Sequence, residues 1–245
     1  MAFSDVVLGA LAVLAATSLG SVFVLFVRSI GRVLYSGMLA LSAGVMTFSV
    51  MEMFFKSHAS SGDVVTIAGL VIGAVLFFVM DKALPHIHAR IYKNRLVVSK
   101  KKATLLAGAV TIHNVPEGFA IASAFASSTP LGWLVTASIA FQDIPEGLLV
   151  AAPMAVYGVN LRRALGFGIF SGVVEAVAAV LAYVFLGFVK AAVPLALSFS
   201  AGAMLYVILA ELMPDAFARG LERTAALCFL AGFALAFALA ALLQF

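Results

Sequence analysis

An all-α integral membrane protein is the fold class this sequence predicts, and three observations predict it. Of the 245 residues, 64% are hydrophobic and 11% charged, and the mean hydropathy is +1.16, so water cannot be the main solvent of the folded chain. The apolar residues gather into runs of roughly 20, the length that crosses a bilayer as a helix. The strand-like alternation of a transmembrane barrel is missing. Eight spans are expected, at about 6–27, 33–55, 64–84, 103–126, 131–156, 165–188, 194–213 and 222–244, within a single transmembrane domain over 1–245.

Each span has its own signals. The first follows a start that carries Asp5 and no Lys or Arg, so it lacks the charged opening of a secretory signal and is expected to be retained. The second lies between Arg32 and Lys56 and holds the small-residue run Ser42-Ala43-Gly44-Val45-Met46. The third opens after a short loop containing His58 and Asp63 and runs into the long connection Asp81 to Lys102. Spans four and five carry polar residues and prolines in their middles, and span six carries one acid, Glu175. Span seven repeats the small-residue run as Ser200-Ala201-Gly202-Ala203-Met204. Span eight contains the single cysteine, Cys228, which cannot form an intramolecular disulfide and reads as a packing residue.

A pI near 9.4 raises nucleic acid as a partner, but a membrane chain is first tested against the positive-inside bias. With the N-terminus outside, Arg28, Arg32, Lys82, Arg90, Lys93, Arg95, Lys100, Lys101, Lys102, Arg162, Arg163, Arg219 and Arg223 fall inside, against Lys56 and Lys190 outside. That split accounts for the basic residues without nucleic acid and puts both termini outside. The long third loop is then cytoplasmic. Its Pro85-His86-Ile87-His88 run beside Asp81 reads either as a transient metal stop or as a solvated basic loop on anionic lipid heads.

A shift of 158 residues lays spans one to three onto spans six to eight, anchored by the two Ser-Ala-Gly runs. By the charge count span one starts outside and span six inside, so the repeats are inverted, an arrangement of transporters whose substrate sites lie where the repeats meet. Spans four and five fall between them, giving a 3+2+3 plan: repeat one at about 6–86, a central pair at about 103–156 and repeat two at about 165–244. Small residues such as these also simply let helices approach closely in lipid.

The chemistry concentrates in the central pair. Span four reads Thr111-Ile112-His113-Asn114-Val115-Pro116-Glu117-Gly118, and span five repeats its core as Phe141-Gln142-Asp143-Ile144-Pro145-Glu146-Gly147. Polar residues inside apolar spans are costly and mark function by default. At about 100° per residue, Glu117 lies at about 40°, between His113 at 0° and Asn114 near 100°, and Glu146 lies likewise between Gln142 and Asp143. That geometry points to two adjacent cation sites sharing carboxylates. One histidine, two glutamates and an amide suit Zn²⁺, Fe²⁺ or Mn²⁺ better than Cu(I), and Asn114 with Asp143 makes an oxygen-rich neighbour. Pro116 and Pro145 free the carbonyls of Ile112 and Phe141, which in lipid requires a hydrated or protein-lined cavity. Glu117, Glu146 and Glu175 together need metal or protons to neutralise them. Met46 offers a thioether to a metal but is equally a gap-filler. Glu52 and Glu211 lie toward span ends, where head-group solvation is the default reading and a role as mouth acids the alternative.

At these residues the chain resembles the ZIP family of Zrt- and Irt-like metal transporters. The eight spans, outside termini, histidine-bearing third loop and H-N-x-P-E-G followed by x-x-P-E-G carry the resemblance. It implies Zn²⁺ uptake toward the cytoplasm, with Cd²⁺, Fe²⁺ or Mn²⁺ as further substrates, through a binuclear centre of spans four and five aided by two and six. It implies one site of His113, Glu117, Gln142 and Glu146 with Met46, and another of Asn114, Glu117, Asp143, Glu146 and Glu175. Asp81, His86 and His88 become exit ligands, the metal is substrate rather than cofactor, and a homodimer in the plasma membrane, or the inner membrane of a bacterium, is the expected form. The chain looks like a short prokaryotic-type member. A metal-selective channel and an intramembrane metalloenzyme are the competing readings. The enzyme lacks an H-E-x-x-H pairing of zinc dyad and general base.

Overall fold

The computed structural model describes residues 3–26, 31–83, 100–156, 158–217 and 220–242, and every regular element among them is helical. Helix α1 is Phe3–Val22, followed by a 3₁₀ turn at Phe23–Leu25. The stretch Arg32–Ala83 is broken at Gly62, whose φ of 73° is a left-handed conformation that glycine tolerates. Its arms are α2 (32–61) and α3 (63–83). Then come α4 (Lys100–Ser127), α5 (Thr129–Val156), α6 (Leu161–Phe188), α7 (Lys190–Ala216) and α8 (Glu222–Leu242). Within α7 a π turn occupies Ile208–Leu212.

The break at Gly62 reverses the chain. Residues nine apart on a straight helix are separated by about 13 Å, yet the Ser57 and Thr66 hydroxyls are 3.1 Å apart. The segment expected as a short outer loop is therefore helical almost throughout and pivots on one residue. His58 and Asp63 flank the pivot, both exposed, with Nδ1 and Oδ1 3.2 Å apart.

Among the described residues, six stretches are long and apolar enough to cross a membrane. Helix α4 is not among them, because His113, Asn114, Pro116 and Glu117 dilute its apolar character. The side-chain distribution is inverted relative to a soluble protein. Leu181, Leu227 and Phe237 face outward at 65%, 70% and 62% exposure, while Thr17, Ser49, Ser138 and Ser171 are buried. An apolar exterior of this extent fits a lipid surrounding.

The helices sort into two groups by packing. In one, α1 packs on α5 and α6, and α4 on α5 and α6. In the other, the α2–α3 pair packs on α7 and α8. The groups meet along α4 against α7 and α2 against α5. Glycines set the close approaches within each group. Gly44 lies against the Phe229 carbonyl, Gly202 against that of Leu70, Gly147 against that of Thr17 and Gly118 against that of Glu175. A Cβ at any of the four would overlap a backbone oxygen, which cannot move as a side chain can. Serines add cross-helix bonds: Ser36 Oγ donates to the Ala216 carbonyl at 2.6 Å, and Ser57 Oγ to that of Pro194 at 2.7 Å.

Gly44→Val is therefore expected to cost about 1–3 kcal/mol through forced overlap, lowering the thermal midpoint in detergent. A Cβ added at Gly187 of α6 would meet no described atom of another element within 4 Å, so Gly187→Ala is expected to leave the midpoint unchanged or raise it slightly. Equal midpoints for both variants would contradict this account of the glycine contacts.

Candidate functional site

Helices α4 and α5 pack against each other and carry Pro116 and Pro145 in mid-helix. Each proline is followed at once by a glutamate and a glycine. The glycines seat the two helices on neighbours of their own group, Gly118 against α6 and Gly147 against α1. That fixes which way the preceding glutamates project, since both turns are anchored at their backs.

At the α4–α5 interface the Gln142 amide donates to Glu117 Oε1 at 2.5 Å. Glu117, Asp143 and Glu146 each present an oxygen within 4.8 Å of the other two. Glu175 reaches the cluster from α6, its carboxyl beside Asn114 and Asp143. Asn114, Asp143 and Glu175 are fully buried, and Glu117 is nearly so. The chain thus brings together Asn114, Glu117, Gln142, Asp143, Glu146 and Glu175.

His113 is placed differently from the rest. Its Nε2 lies 3.0 Å from Glu211 Oε1 on the π turn of α7, and its ring is 6.3 Å from that of Phe77. Glu146 stands within electrostatic reach of both His113 and Glu211, so it links the acid cluster to the histidine pair. Met46 is buried in the apolar cluster that also holds Ala120, Ile121 and Ile139, the adjoining turns of α4 and α5. The His113–Glu211 pair spans the seam between the two helix groups.

Head-group solvation does not describe Glu211, whose side chain is only 9% exposed. The π turn is the local reason. It inserts an extra residue into the helical repeat and redirects the side chains it carries, a device frequent at functional sites. The signal in the sequence was Glu211-Leu212-Met213-Pro214, a carboxylate near a proline inside a span, as in the two Pro-Glu-Gly segments. His86 and His88 lie outside the described residues, as does the side chain of Asp81.

The electrostatics leave little choice of ligand. Every described Lys and Arg side chain is exposed, so among the described residues only His113 can offer the acids a protein cation. Four carboxyls at close quarters in an apolar surrounding require cations or protons to compensate them. Oxygens from three acids within 4.8 Å, with amides and an imidazole beside them, form a donor set suited to borderline and hard divalent cations.

Residues 93–240 match the family model described as ZIP Zinc transporter. The zinc transporter ZIPB of Bordetella bronchiseptica is 31% identical over 241 residues, covering 94% of this chain and 78% of that protein. The zinc transporter GufA of Myxococcus xanthus is 33% identical over 174 residues, 70% of this chain and 68% of that one. A putative zinc transporter of Arabidopsis thaliana is 31% identical over 219 residues, 87% of this chain but 35% of its own length.

Asp143→Asn keeps the shape of the side chain while removing one of the clustered charges. Its expected effect is a higher thermal midpoint for the chelator-treated protein in detergent, because repulsion is relieved. A lowered midpoint would contradict the repulsive cluster.

Proposed function

The chain belongs to the ZIP zinc transporter family, and from that premise we propose that it takes up Zn²⁺ toward the cytoplasm by alternating access through a two-metal site on α4 and α5. The chain is a transporter of divalent metal rather than an enzyme, and the metal is its substrate. The observation that carries the site assignment is the triad of buried Glu117 and Asp143 with half-buried Glu146, their ligand oxygens within 4.8 Å of one another. It lies on two helices that each carry a proline in mid-course, inside the matched residues 93–240.

In this reading Glu117 and Glu146 bridge two ions. His113 and Gln142 serve one, with Met46 contributing its thioether, and Asn114, Asp143 and Glu175 serve the other. The Gln142–Glu117 hydrogen bond holds the glutamate toward the shared position, so less ordering remains when an ion arrives. Glu211, from α7, joins His113 of α4 across the seam as the next pair along the path. Asp81, His86 and His88 follow on the cytoplasmic side.

The transport cycle moves α1, α4, α5 and α6 against the remaining helices. Support comes from the packing, in which those four contact one another and meet the other group along two lines. Movement along that seam separates Glu211 and Met46 from the carboxylates, so the ligand set changes with the state and the ion can leave. The eight spans in a 3+2+3 plan with inverted repeats belong to the same reading. It is supported by glycine contacts that echo one another under the 158-residue shift: Gly44 on Phe229 and Gly202 on Leu70. So do outside termini, a plasma-membrane location and a homodimer, whose mass in detergent is expected to be twice that of the chain.

Uptake into proteoliposomes over a panel of divalent metals tests the proposal. Native protein is expected to give saturable Zn²⁺ uptake. Glu117→Ala is expected to lose about 100-fold or more in kcat/KM, as the loss of a ligand shared by two ions should, and Asn114→Ala about tenfold. Undiminished saturable uptake in His113→Ala and Glu117→Ala would remove the site assignment. Flux that never saturates would favour a channel.

A further inference from the structure

Hydroxyls buried in helices usually donate to the carbonyl four residues back, and several do so here. Thr17 donates to the Val13 carbonyl, Ser21 to that of Thr17 and Ser200 to that of Ala196, at 2.9, 2.8 and 3.0 Å. Ser49 of α2 and Ser138 of α5 do not. Both are buried, at 0% and 1% exposure, and neither Oγ has a hydrogen-bond partner among the described residues. An unpartnered buried hydroxyl is destabilising, so two of them close to the site call for a ligand.

Their placement is set by helix arithmetic. Ser49 comes three residues after Met46, and Ser138 four before Gln142, so each lies about one turn from a site residue on much the same face. Helices α2 and α5 pack together, with Met38 in a cluster with Leu148, Ala151 and Ala152, and Leu149 in one with Leu39 and Ala40. Residue 39 is therefore level with about residue 150. From there Ser49 is ten residues along α2 and Ser138 twelve back along α5, about 15 and 18 Å. The two hydroxyls stand at one level, on the side of the carboxylates away from the contact of Met38 with α5. Val50, Met53, Ile121, Val135 and Ile139 belong to the buried apolar cluster at this end of the helices.

We infer that Ser49 and Ser138 form a hydroxyl step on the external side of the metal centre, which takes up the hydration shell of a divalent cation passing between the outside and the carboxylates. The inference rests on the transport reading and deepens it. A hydroxyl both donates and accepts, so it can hold the ion's water or contact the ion itself. Being neutral, it binds weakly and lets the ion go on to the acids, whereas a third carboxylate rung would trap it. Because Ser49 lies on α2 and Ser138 on α5, the step is split between the two helix groups and opens or closes with the seam.

The test uses the full chain in proteoliposomes with external Zn²⁺. Ser49→Ala/Ser138→Ala is expected to raise KM about fivefold or more, while equilibrium Zn²⁺ binding by the purified protein stays within about twofold of native, since the carboxylates are intact. A second pair of variants reads proximity. In a Cys228→Ser background, Ser49→Cys/Ser138→Cys is expected to be blocked by Hg²⁺ at concentrations about tenfold below those that act on either single cysteine, with uptake restored by dithiothreitol. Native-like KM in the alanine pair, or equal Hg²⁺ sensitivity of single and double cysteine variants, would overturn the hydroxyl step and leave the transport reading standing. A native chain inert toward every divalent metal would overturn both.

Discussion

Four carboxyls held in an apolar interior, with no described Lys or Arg side chain beside them, are the constraint on which this structure depends. Glu117, Asp143 and Glu175 are buried, Glu146 shares their cluster, and every described Lys and Arg side chain is exposed. Such an arrangement is unstable by itself and persists because the surrounding helices are fixed by other contacts. In the proposed reading, a divalent cation would convert the repulsion into coordination, and weak internal cohesion without it would suit ligands that separate during transport.

The compensating order is supplied by glycine. Gly118 and Gly147 seat the two acid-bearing helices on α6 and α1, while Gly44 and Gly202 bring α2 to α8 and α7 to α3, each through contact with a backbone carbonyl. Without a hydrophobic driving force between helices in lipid, close van der Waals packing of this kind is what holds a bundle together. The contacts fall within the two helix groups, and His113 and Glu211 face each other across the seam between them. Rigid groups with a polar seam allow relative movement without dismantling either group.

How the site was read from sequence depended on what kind of signal each residue left. The Pro-Glu-Gly repeats announced Glu117, Gln142, Asp143 and Glu146, because a polar run around a proline in an apolar span has few structural explanations. Glu175 stood out as a lone acid in an apolar span. In sequence Glu211 is a span-end residue, since helix arithmetic assumes a regular repeat and the π turn at Ile208–Leu212 breaks that regularity. Angular position groups His113 with Glu117, and its imidazole also meets Glu211 on a helix nearly a hundred residues further along the chain. Serines 49 and 138 left no signal at all, because an unpartnered hydroxyl is a property of surroundings rather than of sequence.

Composition and periodicity determined that the chain is an all-helical membrane protein, and two short motifs determined which helices carry the acids. These follow from local rules: apolar length against bilayer thickness, and the cost of polar residues in lipid. Only the tertiary structure decided that α2 and α3 reverse at a single glycine, that the helices divide into two packed groups, and that Glu211 faces His113 across the boundary. Those outcomes depend on which carbonyl each glycine meets and on one extra residue in a helical turn. Neither is encoded in the periodicity of any one segment, because both arise only when distant helices are brought into contact.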